Sequence, residues 1–172
     1  MSMKLALAMV GVAALTTNVS AGPKEAWTHA TKDQKWVPLD PKAGDKGPQI
    51  AVVFGDPAAK GKPVGVLLKV PAGARPGPHT HTSDDYAAII QGTMHNFSSP
   101  GTDEGPGLTA GGTWFQPGGK PHDNHCEESS KDGCIAFIYM PNGFDMKPWV
   151  DPKAAKDAPK KDAPKKDAPK KP

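Results

Sequence analysis

Apolar residues along the middle of the chain fall in short runs, each closed by turn residues. Ile50–Phe54 ends at Gly55-Asp56-Pro57, and Val64–Val70 ends at Pro71-Ala72-Gly73. Tyr86–Ile90 runs toward Gly92, and Thr113–Phe115 and Cys134–Tyr139 repeat the pattern. Runs of this length are too short for helices and long enough for strands, so they predict an all-β sandwich or barrel. No stretch shows a helical period. Trp27, Trp36, Trp114 and Trp149 are expected as core residues or plugs at the barrel ends.

Both ends break this pattern. Lys4 precedes an apolar run, Leu5–Leu15, too short to span a bilayer. Val19-Ser20-Ala21 then places small or short residues where signal peptidase reads. Residues 1–21 are therefore expected to be a secretory signal peptide, and the mature protein to be periplasmic or secreted. At the other end Asp-Ala-Pro-Lys-Lys occurs three times between 157 and 171. A proline every five residues forbids helix and strand, so 151–172 reads as a disordered, semi-extended tail. Residues 22–35 form a polar lead, and 36–150 are the expected folded domain.

Composition supports the same division. Of 19 Gly, 18 lie in 22–150, a density that excludes a mostly helical body. The formal charge of +3 comes from the ends: the tail is net +4, whereas 22–150 is net −2. With no basic patch on the body, nucleic acid is excluded as a partner. The tail is a soluble spacer, with contact to an anionic surface as its functional alternative.

The candidate chemistry sits in two segments. In the first, Gly73 to Gly92, His79 and His81 alternate onto one face of an extended chain, and Asp85 has the same parity. Two imidazoles and a carboxylate on one inward face can bind a first-row transition metal. The second, Gly111 to His122, offers another histidine just after Pro117-Gly118-Gly119. These two segments resemble the paired motifs of the cupins. The first motif reads Gly, five residues, His-x-His, three residues, an acid, six residues, Gly. The second reads Gly, five residues, Pro-x-Gly, two residues, His. Eighteen residues separate them here. More loosely, Gly92-Thr-Met-His95-Asn96 looks like ChrR-like cupins and related families of unknown function.

The resemblance implies a single cupin barrel, a double-stranded β-helix or jelly roll, over roughly 36–150. It implies one divalent transition metal on His79, His81, Asp85 and His122. Iron, manganese, copper, nickel and zinc all suit that set. Asp85 stands where the family usually has Glu and is one methylene shorter; Asp84 is the fallback if the strand shifts by one. Cys126 stands where the second motif commonly has Asn. Cys126 and Cys134 are expected to form a disulfide in an exported protein, the alternative being Cys126 facing the metal beside His122. His95 is expected as a structural strand residue or a neighbour of the site, His125 has outward parity, and His29 has no assigned role. The resemblance further implies a metal-dependent enzyme acting on a small molecule, dioxygenase chemistry first. The alternative is a non-catalytic metal- or ligand-binding or sensing module. Homodimer formation stays open.

Overall fold

The computed structural model describes residues 26–99, 101 and 103–153. The expected signal peptide, and the tail from 154 onward, lie outside the described residues. Residues 26–33 hold one 3-10 turn, Thr31–Asp33, and are exposed throughout. Trp27 is 45% exposed there, its ring beside that of His29, so it is not the core residue expected of it. Among the described residues no helix is long and apolar enough to cross a membrane.

From residue 34 onward the chain builds two antiparallel sheets. The strands are β1 (Val37–Pro38), β2 (Gln49–Phe54), β3 (Val64–Val70), β4 (His79–Thr80), β5 (Asp85–Gln91), β6 (Met94–Ser98), β7 (Thr113–Gln116), β8 (His122–Cys126), β9 (Cys134–Met140) and β10 (Lys147–Pro148). One sheet runs β1-β2-β3-β9-β5-β7 and the other β10-β4-β8-β6. The five apolar runs read from the sequence all fall in the larger sheet. The smaller sheet is built of polar strands that the apolar pattern does not reveal: β4, β6 and β8 hold His, Thr, Asn, Asp and Ser beside few large apolar residues, and β10 is Lys-Pro.

The core lies between the sheets. On β9, Cys134, Ala136, Ile138 and Met140 alternate inward and are buried. On β3, Val64, Val66, Leu68 and Val70 do the same. Ala87 and Ile89 of β5 join them, with Met94 and Cys126 closing the core from the smaller sheet. Each fully buried Val contributes roughly 1.5–3 kcal/mol through loss of apolar surface to water. The outer face of the larger sheet is not wholly polar. Tyr86 and Phe115 are about half exposed, and their ring centroids lie 4.9 Å apart.

Cys126, the last residue of β8, is joined by a disulfide to Cys134, the first of β9. The bond therefore ties the smaller sheet to the larger one at the end of the barrel away from the histidines. The alternative placement of Cys126 on a metal is excluded by this pairing. Closing so short a loop stabilises by about 2–3 kcal/mol in the chain-entropy account.

Candidate metal centre

The first histidine segment is not one continuous strand. His79 lies on β4 of the smaller sheet, where it pairs across strands with His122 of β8. The chain then bends through Thr82 and Ser83 and enters β5 of the larger sheet at Asp85. The shared inward side of His81 and Asp85 thus comes from a crossing between sheets, not from strand parity. Asp85 faces the core because it leads the buried series Asp85, Ala87, Ile89 on β5.

The bend is held by the second motif. Asp84 Oδ1 accepts a hydrogen bond from Gly118 N–H at 2.7 Å, and the His81 carbonyl accepts one from Gly119 N–H at 2.7 Å. Gly118 sits so close that a Cβ there would stand 2.6 Å from the Thr82 carbonyl oxygen and 3.0 Å from Ser83 C. The glycine is needed for that approach. Asp84, the fallback ligand, is thereby committed to the turn.

His79, His81 and His122 converge. All three are buried, and one ligand atom of each lies within 4.8 Å of the others. Their ring centroids are 4.3 Å (His79–His122), 4.9 Å (His79–His81) and 5.1 Å (His81–His122) apart. Each ring faces a backbone carbonyl through Nδ1: His79 to Gly77 at 2.7 Å, His122 to Lys120 at 3.3 Å, and His81 to Asp145. An Nδ1–H donated to a carbonyl fixes the tautomer and leaves Nε2 as a free lone pair, the state a metal requires. Burial lowers the pKa of all three rings. For His122, burial with the neighbouring His79 and His81 pushes it down to about 3.

Asp85 lies beside this triad and outside its tight cluster. Its Oδ2 is 3.8 Å from His81 Nε2, while Oδ1 accepts a 2.7 Å hydrogen bond from the Trp114 indole N–H. Burial raises its carboxyl to about 6, although the Trp114 bond opposes the shift. The shorter side chain and the indole both hold the carboxylate back from the histidines. Trp114, read from the sequence as packing, is therefore the group that orients the acid; a tryptophan's indole bond leaves no trace in a spacing pattern.

Asp145 was likewise invisible in the sequence. Its carbonyl anchors His81, and its carboxylate accepts 2.6 Å hydrogen bonds from Thr82 N–H and Thr82 Oγ1–H. Lys147 Nζ stands 2.9 Å away. Burial alone would raise this carboxyl, but the Thr82 and Lys147 contacts hold it down at about 2. Asp145 thereby pins the segment between β9 and β10 against the ligand bend.

The triad opens on a cavity of about 20 Å³, walled by apolar residues including Leu68, Ile138, Met140, Phe144 and Met146. That is room for an ion and about one water. Phe144 also lines a wider outer hollow of about 860 Å³ with Lys60, Thr82, Asp145 and Lys147. Three imidazole nitrogens fit a first-row transition ion and are a poor match for magnesium or calcium, which take oxygen ligands. His79, His81 and His122 are thus the residues that could hold an ion, with Asp85 in reach as a further donor. His95 and His125 lie on the opposite face of β6 and β8, away from this centre, and His29 lies in the lead.

The buried histidines set a pH dependence for the metal-free protein. A histidine whose folded pKa is depressed stays neutral while its unfolded counterpart takes up a proton, so stability falls as pH drops below about 6.5. For His122 the loss between pH 7 and pH 5 is roughly 2 kcal/mol. Asp85, raised to about 6, acts in the opposite sense over the same window, and three histidines outweigh it. Urea unfolding of chelator-treated protein is expected to give a lower midpoint at pH 5 than at pH 7. His122→Gln should flatten the dependence. A midpoint that rises on acidification would contradict the burial of neutral imidazoles.

Among known proteins, the model of the family described as Domain of unknown function (DUF4437) matches residues 28–167. No curated protein matches the sequence. Solved structures do match the fold. An RmlC-like cupin from Ralstonia eutropha aligns with a TM-score of 0.53 at 18% identity, covering 77% of this chain and 83% of its own. An RmlC-like cupin from Shewanella frigidimarina gives 0.52 at 15% identity, covering 70% and 95%. The DMSP lyase DddQ from Ruegeria pomeroyi gives 0.53 at 15% identity, covering 69% and 61%. At these identities the likeness is one of fold. Two spaced histidine motifs fold here into one double-sheet barrel, the barrel aligns with cupins in fold, and the family model spans most of the chain; the protein has a cupin fold and belongs to the DUF4437 family.

Proposed function

We propose that this is an exported cupin that holds one divalent transition metal on His79, His81 and His122, with Asp85 completing the set, and presents it to a small molecule. The observation behind this reading is the anchoring of all three Nδ1 atoms on backbone carbonyls, which aims neutral Nε2 atoms into one buried space. A bound ion there supplies a Lewis acid at its open positions. The protein's own part is to orient the rings, to hold Asp85 through Trp114, and to exclude water with Leu68, Ile138, Met140 and Phe144. Exclusion of water strengthens electrostatic interactions inside the site. Export rests on Lys4, the Leu5–Leu15 run and Val19-Ser20-Ala21, together with a disulfide, a bond favoured outside the cytoplasm.

Oxidoreductase chemistry of the dioxygenase type is the reaction that the cupin resemblance implies. The Ruegeria neighbour is described as a lyase, so a barrel of this shape does not choose the reaction. The small inner cavity favours a second reading, a non-catalytic metal-binding or sensing module whose ion is shut off from anything larger than water. One preparation tests both. Protein recovered from the exported fraction without an affinity tag is weighed intact, analysed for metal, and exposed to azide or nitric oxide. Loss of residues 1–21, one tightly held metal and a spectral response to the added ligand are expected. A held metal that is blind to both ligands selects the module; protein that binds no transition metal at the barrel centre overturns the proposal.

A further inference from the structure

A second group of ligating side chains occupies the outside of the same small sheet. Along β8, His122 points into the barrel and His125, three residues later, points out, as strand alternation requires. His125 pairs across strands with His95 of β6, and their rings stack with centroids 5.8 Å apart at 23°. Glu104, from the segment between β6 and β7, places Oε2 2.7 Å from His125 Nδ1. Glu127, just beyond β8, places Oε1 3.0 Å from His95 Nε2. One ligand atom from each of His95, Glu104 and His125 lies within 4.8 Å of the other two, and all three residues are partly buried.

We propose that His95, His125 and Glu104 form a second, solvent-facing site for a divalent transition ion such as zinc, with Glu127 as the fourth donor. Two imidazoles and a carboxylate are an ordinary zinc donor set, and donors about 2.1 Å from a tetrahedral ion stand about 3.4 Å apart. Donor atoms no more than 4.8 Å apart have to close by at most about 1.4 Å to reach that spacing. The cross-strand pairing holds the two rings side by side before any ion arrives, so little order has to be created on binding. His95 Nδ1 faces the Gly105 carbonyl at 3.3 Å, which leaves Nε2 on the Glu127 side.

Arg75 is the competitor. Its guanidinium pairs with Glu104 and must yield that carboxylate to an ion. The charged groups around the site are Glu104, Glu127 and Asp123 against Arg75, a balance that favours a cation. Without an ion, the same residues would be only an ion-pair network tying the segment around Glu104 to the sheet.

The two sites lie on opposite faces of β8, so they can be emptied separately. Full mature chain without a tag is stripped with chelator and titrated with zinc chloride by equilibrium dialysis. The parent should bind two equivalents, and His122→Gln and His125→Gln one each, with the tighter class lost in the first and the weaker class in the second. His95→Gln should repeat the His125→Gln result, and a thermal melt of each metal-free variant shows that it folds. Arg75→Gln should tighten the weaker class several-fold by removing the competing charge. A parent that binds a single equivalent, or folded His95→Gln and His125→Gln proteins that keep both, would overturn the outer site while leaving the inner one standing.

Discussion

Replacing His122 by alanine is expected to abolish the tight metal binding proposed at the barrel centre. The ring is 1% exposed, and its centroid stands 4.3 Å from that of His79 and 5.1 Å from that of His81. Neither Asp84, bonded to Gly118, nor Cys126, joined to Cys134, is placed to substitute. Loss of a group that merely supports a ligand costs about 10–100-fold in metal affinity, so loss of a ligand should cost at least about 100-fold. Elemental analysis and competition against a chromophoric chelator measure this directly. Asp85→Ala should weaken binding less than His122→Ala, since the carboxylate is half engaged by Trp114 and stands off from the triad. His122→Ala protein that kept the parent's tight metal would remove the inner site altogether.

A large loss of stability is expected from Gly92→Ala, at the glycine that closes the first motif far from the histidines. Gly92 has φ +78, a conformation that costs an L-residue roughly 1–2 kcal/mol. A Cβ there would also stand 2.8 Å from Cys134 Sγ, 2.8 Å from the Gly133 carbonyl oxygen and 3.1 Å from Cys134 Cα. The contacts are backbone and a disulfide sulfur, neither of which can swing aside. Overpacking of that kind adds about 1–3 kcal/mol, for a total of roughly 2–5 kcal/mol. For a domain of ordinary stability that is a large share of the whole. Thermal or urea unfolding of Gly92→Ala against the parent gives the value; a change below about 1 kcal/mol would mean that the turn relaxes freely. Metal content per folded molecule should be unaffected, which separates this variant from His122→Ala.

Several features were legible in the residues alone. The five apolar runs mark the larger sheet because its strands bury one side chain in two, as Cys134, Ala136, Ile138 and Met140 show on β9. The two spaced motifs mark the histidines because each histidine follows a turn that needs glycine or proline at fixed places, and those places survive as letters in the sequence. The all-β class and the cupin barrel follow from these two signals together.

Other features depended on residues distant in the chain and could only appear on folding. Strands β4, β6, β8 and β10 are held by pairing and by polar side chains, so no run of apolar residues announces them. Asp85 and the histidines meet because the chain crosses between sheets, and a one-dimensional parity count treats that crossing as a straight strand. The Trp114 indole on Asp85 and the Asp145 carbonyl on His81 span 29 and 64 residues. The second of these uses a backbone atom that every residue possesses, so no residue type can signal it. The sequence by itself determined which side chains are available to bind an ion and which strands bury the core; the tertiary structure decided how near each ligand stands, which tautomer it holds and which acid is committed elsewhere, because those depend on hydrogen bonds and desolvation that exist only once distant segments are packed together.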